Sequence, residues 1–339
     1  MSSLIVPVAT IDAIVPHSNA DALELAHVLG WQVVIRKGEY SIGDKIVYFP
    51  PDTVLPLELS ERFGVTKYLS KQRLRCAKLR GEPSFGLIVR PDDAFWDIGR
   101  NVADWYGVTK YEPPLRASAG DAEMEHPLFC GYTEIENMRN YPDILQEGET
   151  VLVSEKIHGT SCRIGMIEGE RMAGSKAVRR KRPFDDAFVG NTYWFPWSLA
   201  PVRDMLEALG AEHRQVIVFG EVYGSRIQSF NYGLGNGRIS FRAFDMLVDG
   251  KYLDWPEFLG LCEQYGVDVV PQLNAIPFSL AEIRLLSEGP TLVGEGAHIR
   301  EGVVVRPIRE RISPKIGRVI LKYVSDSYLF GSKTDYTDR

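Results

Sequence analysis

The chain has 339 residues, enough for two domains, and 45% of them are apolar, as in an ordinary globular protein. Its net charge of -6 excludes a general nucleic-acid coat, so an enzyme acting on nucleic acid must concentrate positive charge locally. No stretch is apolar for long enough to span a bilayer, and the first residues do not resemble a signal peptide. We therefore expect a cytoplasmic protein without a membrane partner. The scattered cysteines form no C-x-x-C pair and indicate reduced thiols.

Short apolar runs separated by turns fill the chain from Leu4 to about Leu115. They include SLIVPVATIDAIVP, WQVVIRKGEY and IVYFPPDTVLP, with a Gly-Asp-Lys turn at Gly43 to Lys45. Many short strands with glycine and proline between them predict a small β-barrel. We therefore predict an N-terminal domain over residues 1–115.

A basic segment, RLRCAKLRGE, lies within this domain. Its positive residues are Arg73, Arg75, Lys78 and Arg80. They could follow an RNA backbone, or they could form the solvated face of one strand. The residues themselves leave both interpretations open.

The best candidate for a linker is YEPPLRASAGDAEMEHP, which combines prolines, small residues and acids without periodicity. We place the linker at residues 116–127 and a second domain at residues 128–339.

The second domain carries a lysine at the end of a predicted strand, in VLVSEKIHG. Val151 and Val153 alternate as in a half-buried strand, so Lys156 falls at the strand end, where its side chain can point into a cleft. Gly159 then allows the backbone to approach a ligand closely. The K-x-x-G pattern alone is weak, because a lysine beside a strand is usually a solvated surface charge.

A second basic run follows this strand. Five positive charges fall within the seven residues from Lys176 to Arg182, the others being Arg179, Arg180 and Lys181. Such a run on an acidic chain favours phosphate binding, although most charge runs are flexible surface loops. Its position between two candidate strands favours the functional interpretation.

Three helices are predicted further along the chain. They are Ala200 to Leu209, ended by Gly210; Pro256 to Tyr265, ended by Gly266; and a helix that begins with a Ser279/Glu282 capping box and ends at Gly289. Tight turns at Asn236-Gly237 and Asp249-Gly250 bound the strand SFRAFDM. This alternation of strand runs and helices predicts an α+β domain with antiparallel sheets.

Four β-rich stretches follow KIHG in a fixed order: VIVFGEVYG, SFRAFDM, EGVVVRP and RVILKYVS. With KIHG, they resemble the motifs of the covalent nucleotidyltransferase superfamily, which includes the lysyl-AMP ligases and capping enzymes. The resemblance runs from about Phe129 to about Leu329 and implies an antiparallel-sheet, ATP-grasp-like catalytic domain. Residues Ile11 to Pro50 look like the OB-like barrels that bind tRNA in some synthetases.

The resemblance also implies roles for individual residues. Lys156 is the nucleophile that takes AMP from ATP. In the nucleotide site it is flanked by Glu155, Ile157 and Gly159. Lys176 contacts the sugar or the donor phosphate. Glu221 binds the ribose hydroxyls and the metal, and Glu301 binds the catalytic metal. Phe244 stacks on adenine, with Asp245 supporting it. Arg306 occupies the position of a lysine in RNA ligase 2, and Lys322 faces the α-phosphate.

These roles imply ATP as co-substrate and Mg²⁺ or Mn²⁺ as cofactor. A protonated lysine cannot attack phosphorus, so the pKa of Lys156 must be lowered by nearby positive charge such as Lys322 or a bound metal. Each residue has a structural alternative. Glu221 and Glu301 could be paired acids of buried strands, and Phe244 could be a core aromatic; the order of all the motifs together favours the catalytic interpretation.

The last motif departs from the pattern of many relatives. They have K-x-K, whereas Ile320 stands at the position of the first lysine. Alternation along one strand would place Arg318, Ile320 and Lys322 on the same face, so that Arg318 could supply the missing charge.

Position 158 distinguishes among the relatives. DNA ligases and capping enzymes typically have aspartate there, whereas His158 looks like the RNA ligase 2 group, as does the segment with Tyr132, Glu136 and Asn137. A barrel placed before the catalytic domain resembles the RNA ligase 5 type. Such enzymes seal a 3′-hydroxyl to a 5′-phosphate at nicks in duplexes, with RNA on the hydroxyl side.

The resemblance therefore implies a monomeric, ATP-dependent RNA ligase acting in RNA repair on a nicked, RNA-containing duplex. We expect Arg73, Arg75, Arg179, Arg180 and Arg182 to contact the nucleic acid. Two alternatives stay open: a capping-type guanylyltransferase, and an inactive RNA-binding protein, which only Ile320 supports.

Overall fold

The computed structural model describes residues 4–112, 121–294 and 298–331. The chain divides into two compact units. The first unit comprises Met1–Pro113, Asn137–Pro142 and Asp326–Arg339, and the second comprises Pro114–Glu136 and Asp143–Ser325. Residues 116–120 of the predicted linker lie outside the described residues, and the domain boundaries drawn from the sequence stay predictions.

The first unit is built from short antiparallel strands, as predicted. They are β1 (Val8–Thr10), β2 (Ala13–Pro16), β3 (Leu23–Val28), β4 (Trp31–Arg36), β5 (Lys45–Phe49), β6 (Thr53–Val54), β7 (Cys76–Leu79), β8 (Glu82–Phe85), β9 (Leu87–Val89) and β10 (Thr109–Lys110), with one helix, α1 (Leu57–Arg62), and a 3₁₀ turn at Thr66–Tyr68. Strands β1, β5 and β9 form one sheet, and β2, β3 and β4 form another. Val8, Val47 and Phe49 on β1 and β5 are buried in one apolar core with Trp96 and Tyr106.

One arginine of the basic segment, Arg73, lies where it cannot make the predicted RNA contact. Arg73 is only 4% exposed, and its Nε donates to Oδ1 of Asp52 at 2.6 Å. Its guanidinium lies 3.8 Å from the ring centre of Tyr111. A buried, paired guanidinium cannot follow an RNA backbone, whereas Arg75 is exposed.

Strand β11 (Glu136–Asn137) crosses the boundary between the units, since Glu136 belongs to the second unit and Asn137 to the first. The second unit then contains β12 (Thr150–Glu155), β13 (Thr160–Ile167), β14 (Glu170–Ser175), α2 (Ala200–Glu212), β15 (Gln215–Gly224), β16 (Ile239–Val248), β17 (Lys251–Tyr252), α3 (Trp255–Tyr265), β18 (Gln272–Pro277), α4 (Leu280–Ser287), β19 (Gly302–Pro307), β20 (Ile312–Ser313), β21 (Gly317–Arg318) and β22 (Leu321–Val324). Short 3₁₀ turns of this unit lie at Phe184–Asp186 and Phe195–Ser198, and the one at Met138–Asn140 belongs to the first unit.

Two antiparallel sheets form the body of the second unit. One has the strand order β14-β13-β15-β16-β17, and in the other β22, β19, β12 and β18 lie side by side. Apolar residues of β13 and β15 pack with α2 and α3 in the largest core cluster, which includes Met205 and Phe258. The predicted α+β class with antiparallel sheets is confirmed.

Of the predicted helix ends, that of α3 is right and that of α2 is wrong, and α4 ends at Ser287, two residues before the predicted Gly289. Helix α3 ends at Tyr265, and Gly266 takes the left-handed conformation with φ of +75°. Helix α2 continues past Gly210 to Glu212. A Cβ at Gly210 would lie 2.6 Å from Cβ of Met166, so this glycine allows α2 to approach β13 rather than ending the helix. Helix α4 begins after Ser279 as expected, but without the predicted capping hydrogen bond.

The stretch RVILKYVS is not one strand. Arg318 belongs to β21, which pairs with β20, and a break at Val319 and Ile320 precedes β22. The alternation that was predicted to align Arg318 with Lys322 therefore does not hold.

The last described residues belong to the first unit, where helix α5 (Asp326–Leu329) follows β22 in the chain. Arg139, also in the first unit, donates from Nη2 to Oδ1 of Asp326 at 2.6 Å, and its guanidinium lies 5.3 Å from the ring centre of Trp31. The ring of Phe330 contacts Phe85 edge-on, with 5.5 Å between the centres. The first unit is thus assembled from three stretches of the chain.

All four cysteines are free thiols. Among the described helices, none combines the length and the apolar character needed to cross a membrane.

Candidate active site

Lys156 stands directly after β12, as predicted, and its side chain is held by a carboxylate. Its Nζ donates to Oε1 of Glu301 at 2.7 Å, and the lysine side chain is 27% exposed. Glu301 immediately precedes β19, which pairs with β12 in the register Glu155 to Val303. Adjacent strand ends therefore bring together two residues that are far apart in the sequence.

His158 binds the other oxygen of the same carboxylate. Its Nδ1 lies 3.2 Å from Oε2 of Glu301, and its Nε2 lies 3.2 Å from Oγ of Ser229. The backbone N–H of His158 donates to the hydroxyl of Tyr232 at 2.6 Å. Glu301 therefore joins the lysine and the histidine of KIHG.

Ser229 and Tyr232 lie in the loop between β15 and β16, and the sequence interpretation missed both. The same loop supplies Gln228, whose Nε2 donates to the backbone oxygen of Gly159. No periodicity or motif marks these residues, because they act on the KIHG segment from about 70 residues away.

Glu221 on β15 lies against the backbone of Gly159. A Cβ at position 159 would come within 2.9 Å of Cγ of Glu221 and 2.3 Å of the backbone oxygen of Val222, so only glycine allows this approach. Burial raises the pKa of Glu221 to about 8; Lys156 opposes the shift, and the charge of Glu301 adds to it. Burial also acts to raise the pKa of Glu301, but Lys156 and His158 outweigh it and hold that pKa below its usual value.

Among the described residues, no group of three or more histidine, cysteine, aspartate or glutamate side chains is arranged to hold a metal ion. The pair Glu221 and Glu301 nevertheless fits a hard divalent cation that takes its remaining ligands from phosphates and water. Burial and the charge of Glu301 together raise the pKa of Glu221, and a cation bound by the pair would remove that cost.

Lys322 is 4% exposed and lies on β22 opposite Val304 of β19, which in turn pairs with Ser154 of β12. Residues opposite one another point to the same face of a sheet, and Lys156 follows two positions after Ser154. The register therefore places Lys322 in line with Ser154, near the end of β12 that precedes Lys156. The predicted role of Lys322 at the α-phosphate stays a prediction.

Phe244 on β16 is half-buried, with the ring of Tyr132 edge-on at 5.0 Å between centres. Its neighbour Asp245 is fully buried and accepts hydrogen bonds from the Tyr132 hydroxyl at 2.6 Å and from Nη1 of Arg306 at 3.0 Å. This corrects the assignment of Arg306, which was placed among the nucleotide contacts. Its guanidinium is instead 3% exposed and bound to Asp245 and Glu310.

Two residues that flank Lys156 face the protein interior. Glu155 is 1% exposed, and its carboxylate accepts hydrogen bonds from Oγ1 of Thr291 at 2.5 Å and from the backbone N–H of Leu292 at 2.8 Å. Ile157 is 4% exposed and packs in the main apolar core. The side-chain contacts of both are therefore structural.

The basic run is partly paired with acids. Nζ of Lys176 donates to Oε2 of Glu134 at 2.6 Å. Arg182 binds Asp186 at 2.7 Å, and Arg179 lies 3.7 Å from a carboxylate oxygen of Glu123. Arg180 lies over the ring of Tyr193, 4.7 Å from its centre. The predicted phosphate and nucleic-acid contacts of this run stay predictions.

A strand-end lysine bound to a carboxylate, between two antiparallel sheets, fits the nucleotidyltransferase type that the order of the motifs resembles. The RNA ligase family model matches residues 149–324, more than half of the chain, and an OB-fold domain model matches residues 5–91. The chain belongs to the RNA ligase family. The predicted OB-like N-terminal fold is also confirmed.

Solved structures of Naegleria gruberi RNA ligase resemble nearly the whole chain. A mutant with ATP and Mn has 26% sequence identity and a TM-score of 0.70, over 96% of this chain and 98% of that one. A mutant with AMP and Mn has 26% identity and a TM-score of 0.72 over the same shares. The enzyme with pyrophosphate (PPi) has 27% identity and a TM-score of 0.71, over 97% and 98%. No curated protein matches the chain.

Proposed function

We propose that this protein is an ATP-dependent RNA ligase that joins a 3′-hydroxyl to a 5′-phosphate through a lysyl-AMP intermediate on Lys156. The observation that carries the proposal is the position of Lys156 at the end of β12, 2.7 Å from Glu301 and inside the segment that matches the RNA ligase family. ATP, AMP and pyrophosphate, seen in the Naegleria complexes, are the substrate, the transferred group and the leaving group of such a first step.

In that first step, Nζ of Lys156 attacks the α-phosphorus of ATP. A nitrogen–phosphorus bond forms, the bond between the α- and β-phosphates breaks, and pyrophosphate leaves. Lys156 must first give up a proton, and the nearby carboxylate of Glu301 holds the amine in place until it does. Lys322, which the register places in line with Ser154, supplies positive charge for the α-phosphate.

Glu301 and Glu221 would hold a divalent magnesium or manganese ion, which would neutralise charge on the triphosphate. The half-buried ring of Phe244 offers a flat apolar surface for adenine. His158 fixes Glu301 from the side opposite Lys156, so the carboxylate keeps its orientation when the lysine leaves it.

Two further steps complete the reaction. AMP passes from Lys156 to the 5′-phosphate of the donor, and the 3′-hydroxyl of the RNA then attacks that phosphate and displaces AMP. Both steps depend on positioning and charge neutralisation. The acceptor is a nicked duplex with RNA on its hydroxyl side, and the protein acts as a monomer in cytoplasmic RNA repair.

Exposed basic residues supply the nucleic-acid contacts. Arg75 of the first unit and Lys181 and Arg182 of the basic run are exposed to solvent, and half-buried Arg179 and Arg180 adjoin them. A phosphate backbone would compete with Asp186 for Arg182, since an exposed ion pair is weak.

No observation favours the alternative functions. Ile320, the only support for an inactive binding protein, is 3% exposed and packs in an apolar cluster with Tyr132 and Phe219. An apolar residue at position 320 is therefore explained by its packing in this cluster.

The test is a sealing assay with nicks that differ only in the sugar at the 3′-hydroxyl. We expect joining of the nick with a ribonucleotide at that position, in the presence of ATP and a divalent metal, and no joining by Lys156→Ala. Equal joining of all-DNA nicks would contradict the RNA requirement. Joining by Lys156→Ala, or support by GTP alone, would contradict the proposed enzyme.

A further inference from the structure

A buried group of charged side chains lies beside Phe244 and takes no part in the steps above. It consists of Asp245 on β16, Arg306 on β19, Arg318 on β21 and Glu310 in the turn between β19 and β20. We name these four residues the charge cluster. Two positive and two negative groups are present, and the side chains of Asp245, Arg306 and Arg318 are less than 10% exposed.

Arg318 makes most of the contacts in the charge cluster. Its Nε and Nη2 bind the two carboxylate oxygens of Glu310 at 2.5 and 2.6 Å, and Nη2 also lies 2.7 Å from Oδ2 of Asp245. Its Nη1 donates to the hydroxyl of Tyr132 at 3.1 Å. Arg306 closes the group, with Nη1 on Asp245 at 3.0 Å and Nη2 on Glu310 at 2.9 Å. Every charge therefore has an opposite partner.

Tyr132 connects the charge cluster to Phe244. Its hydroxyl accepts from Arg318 and donates to Oδ2 of Asp245 at 2.6 Å, so both of its hydrogen-bonding directions are fixed. Its ring meets Phe244 edge-on, at 5.0 Å and 64°. The guanidinium of Arg318 also stacks 3.7 Å from the ring centre of Tyr252, which is itself 5.9 Å from Tyr132.

We propose that Arg318 and Glu310 are positioning residues for the adenine ring of ATP. They hold the ring of Tyr132 against the ring of Phe244, and Phe244 presents its remaining surface to the base. Because the four charges cancel, the cluster orients the ring without placing net charge beside a neutral base. The proposal rests on the proposed function and assigns these residues to nucleotide capture, not to the transfer of AMP.

The test is the ATP dependence of self-adenylation by the full-length protein. In Arg318→Met and in Tyr132→Phe, which lacks only the hydroxyl, we expect the KM for ATP to rise about tenfold, with kcat within about twofold of the wild-type value. Arg318→Lys should recover only part of the affinity, because lysine cannot reproduce the two-pronged contact with Glu310.

The matched control is Arg311→Met. Arg311 stands in the same turn region and binds Glu149 through Nε and Nη2, both at 2.8 Å, without contact to the charge cluster. It should lower the melting temperature and leave the KM for ATP unchanged.

Two results would overturn the proposal. The first is an unchanged KM in Tyr132→Phe and Arg318→Met, whatever their melting temperatures, which would make the charge cluster purely structural. The second is a lower kcat at unchanged KM. If Arg318→Met does not fold, Tyr132→Phe and Glu310→Gln give the same comparison. Absence of adenylation in the wild-type protein would instead refute the proposed function itself.

Discussion

The second unit holds two groups of buried charges that are neutralised to different degrees. In the charge cluster, Asp245 and Glu310 are matched by Arg306 and Arg318 through short hydrogen bonds. Around Lys156, the carboxylates of Glu301 and Glu221 act on each other as well as on the lysine. Burial and this repulsion leave the pKa of Glu221 raised to about 8.

The difference shows which group is complete without a ligand. The charge cluster satisfies its own members and fixes the strands and rings around it. At Lys156, Glu221 keeps a proton up to about pH 8, and a divalent cation bound there would favour its charged form, which suits a site that receives a cation and a triphosphate. Substitutions in the charge cluster should therefore lower stability and the affinity for ATP, whereas substitutions around Lys156 should lower the rate of adenylation.

The largest effect is expected for Glu301→Gln. A neutral amide lacks the negative charge that holds the cation and pairs with Lys156, so the self-adenylation rate should fall by roughly a thousandfold or more. The melting temperature should change little, since the substitution also removes repulsion with Glu221. The measurement is single-turnover labelling with a thermal melt of the same sample. A rate within tenfold of the wild-type value would contradict the catalytic role assigned to the group at Lys156.

The next effect is on stability, in Asp245→Asn. Arg306 and Arg318 would then share Glu310 alone, and loss of one partner of a buried pair costs about 3 to 5 kcal/mol. Urea unfolding should show this loss in the free energy of unfolding. Asp249→Asn is the control, because this aspartate at the end of the same hairpin is 49% exposed and binds His213, so its loss should matter far less. Equal losses in both variants would contradict the account.

A smaller effect is a pH dependence that belongs to Glu221. Without divalent metal, the folded protein keeps a proton on Glu221 up to about pH 8, whereas an ordinary glutamate releases it near 4.5. The folded state therefore binds more protons between these values, and the free energy of unfolding should fall as the pH rises from 4.5 towards 8.

Glu221→Gln should remove this part of the decline, and so should Mn²⁺ added to the wild-type protein. The measurement is chemical unfolding at a series of pH values in the presence of a chelator. Identical pH profiles for the wild-type protein and the variant would show that Glu221 is not the source.

The smallest effect on stability is expected in Arg182→Ala. Arg182 and Asp186 are both 48% exposed, so the loss of their ion pair should leave unfolding nearly unchanged. If Arg182 contacts a phosphate, binding of a nicked duplex should weaken severalfold, and the slope of log K against log salt should fall by about one. Unaltered binding and slope would remove Arg182 from the interface.

Much of this organisation could be predicted from the sequence. The strand before Lys156, the strands with Glu221, Phe244 and Glu301, and the α+β class follow from apolar patterning and motif order. The turn at Asp249-Gly250 was also predictable, and both residues take positive φ angles, 45° and 81°. These features are local, because each depends on a few neighbouring residues.

The rest depends on contacts between distant residues. Arg73 looked like part of an exposed basic stripe, but it is buried and bound to Asp52, in the turn before β6. Arg306 and Arg318 looked like nucleotide contacts because nothing in their own strands indicates Glu310. Gly210 looked like a helix end because its contact with Met166 is invisible in the sequence.

The central claim is that Lys156 carries AMP from ATP. The most direct measurement is incubation with ATP labelled at the α-phosphate and a divalent metal, followed by a denaturing gel, with Lys156→Ala and labelled GTP alongside. The account predicts label on the wild-type chain from ATP alone and none on the variant. Label on Lys156→Ala, or no label on a folded wild-type protein free of bound AMP, would contradict it.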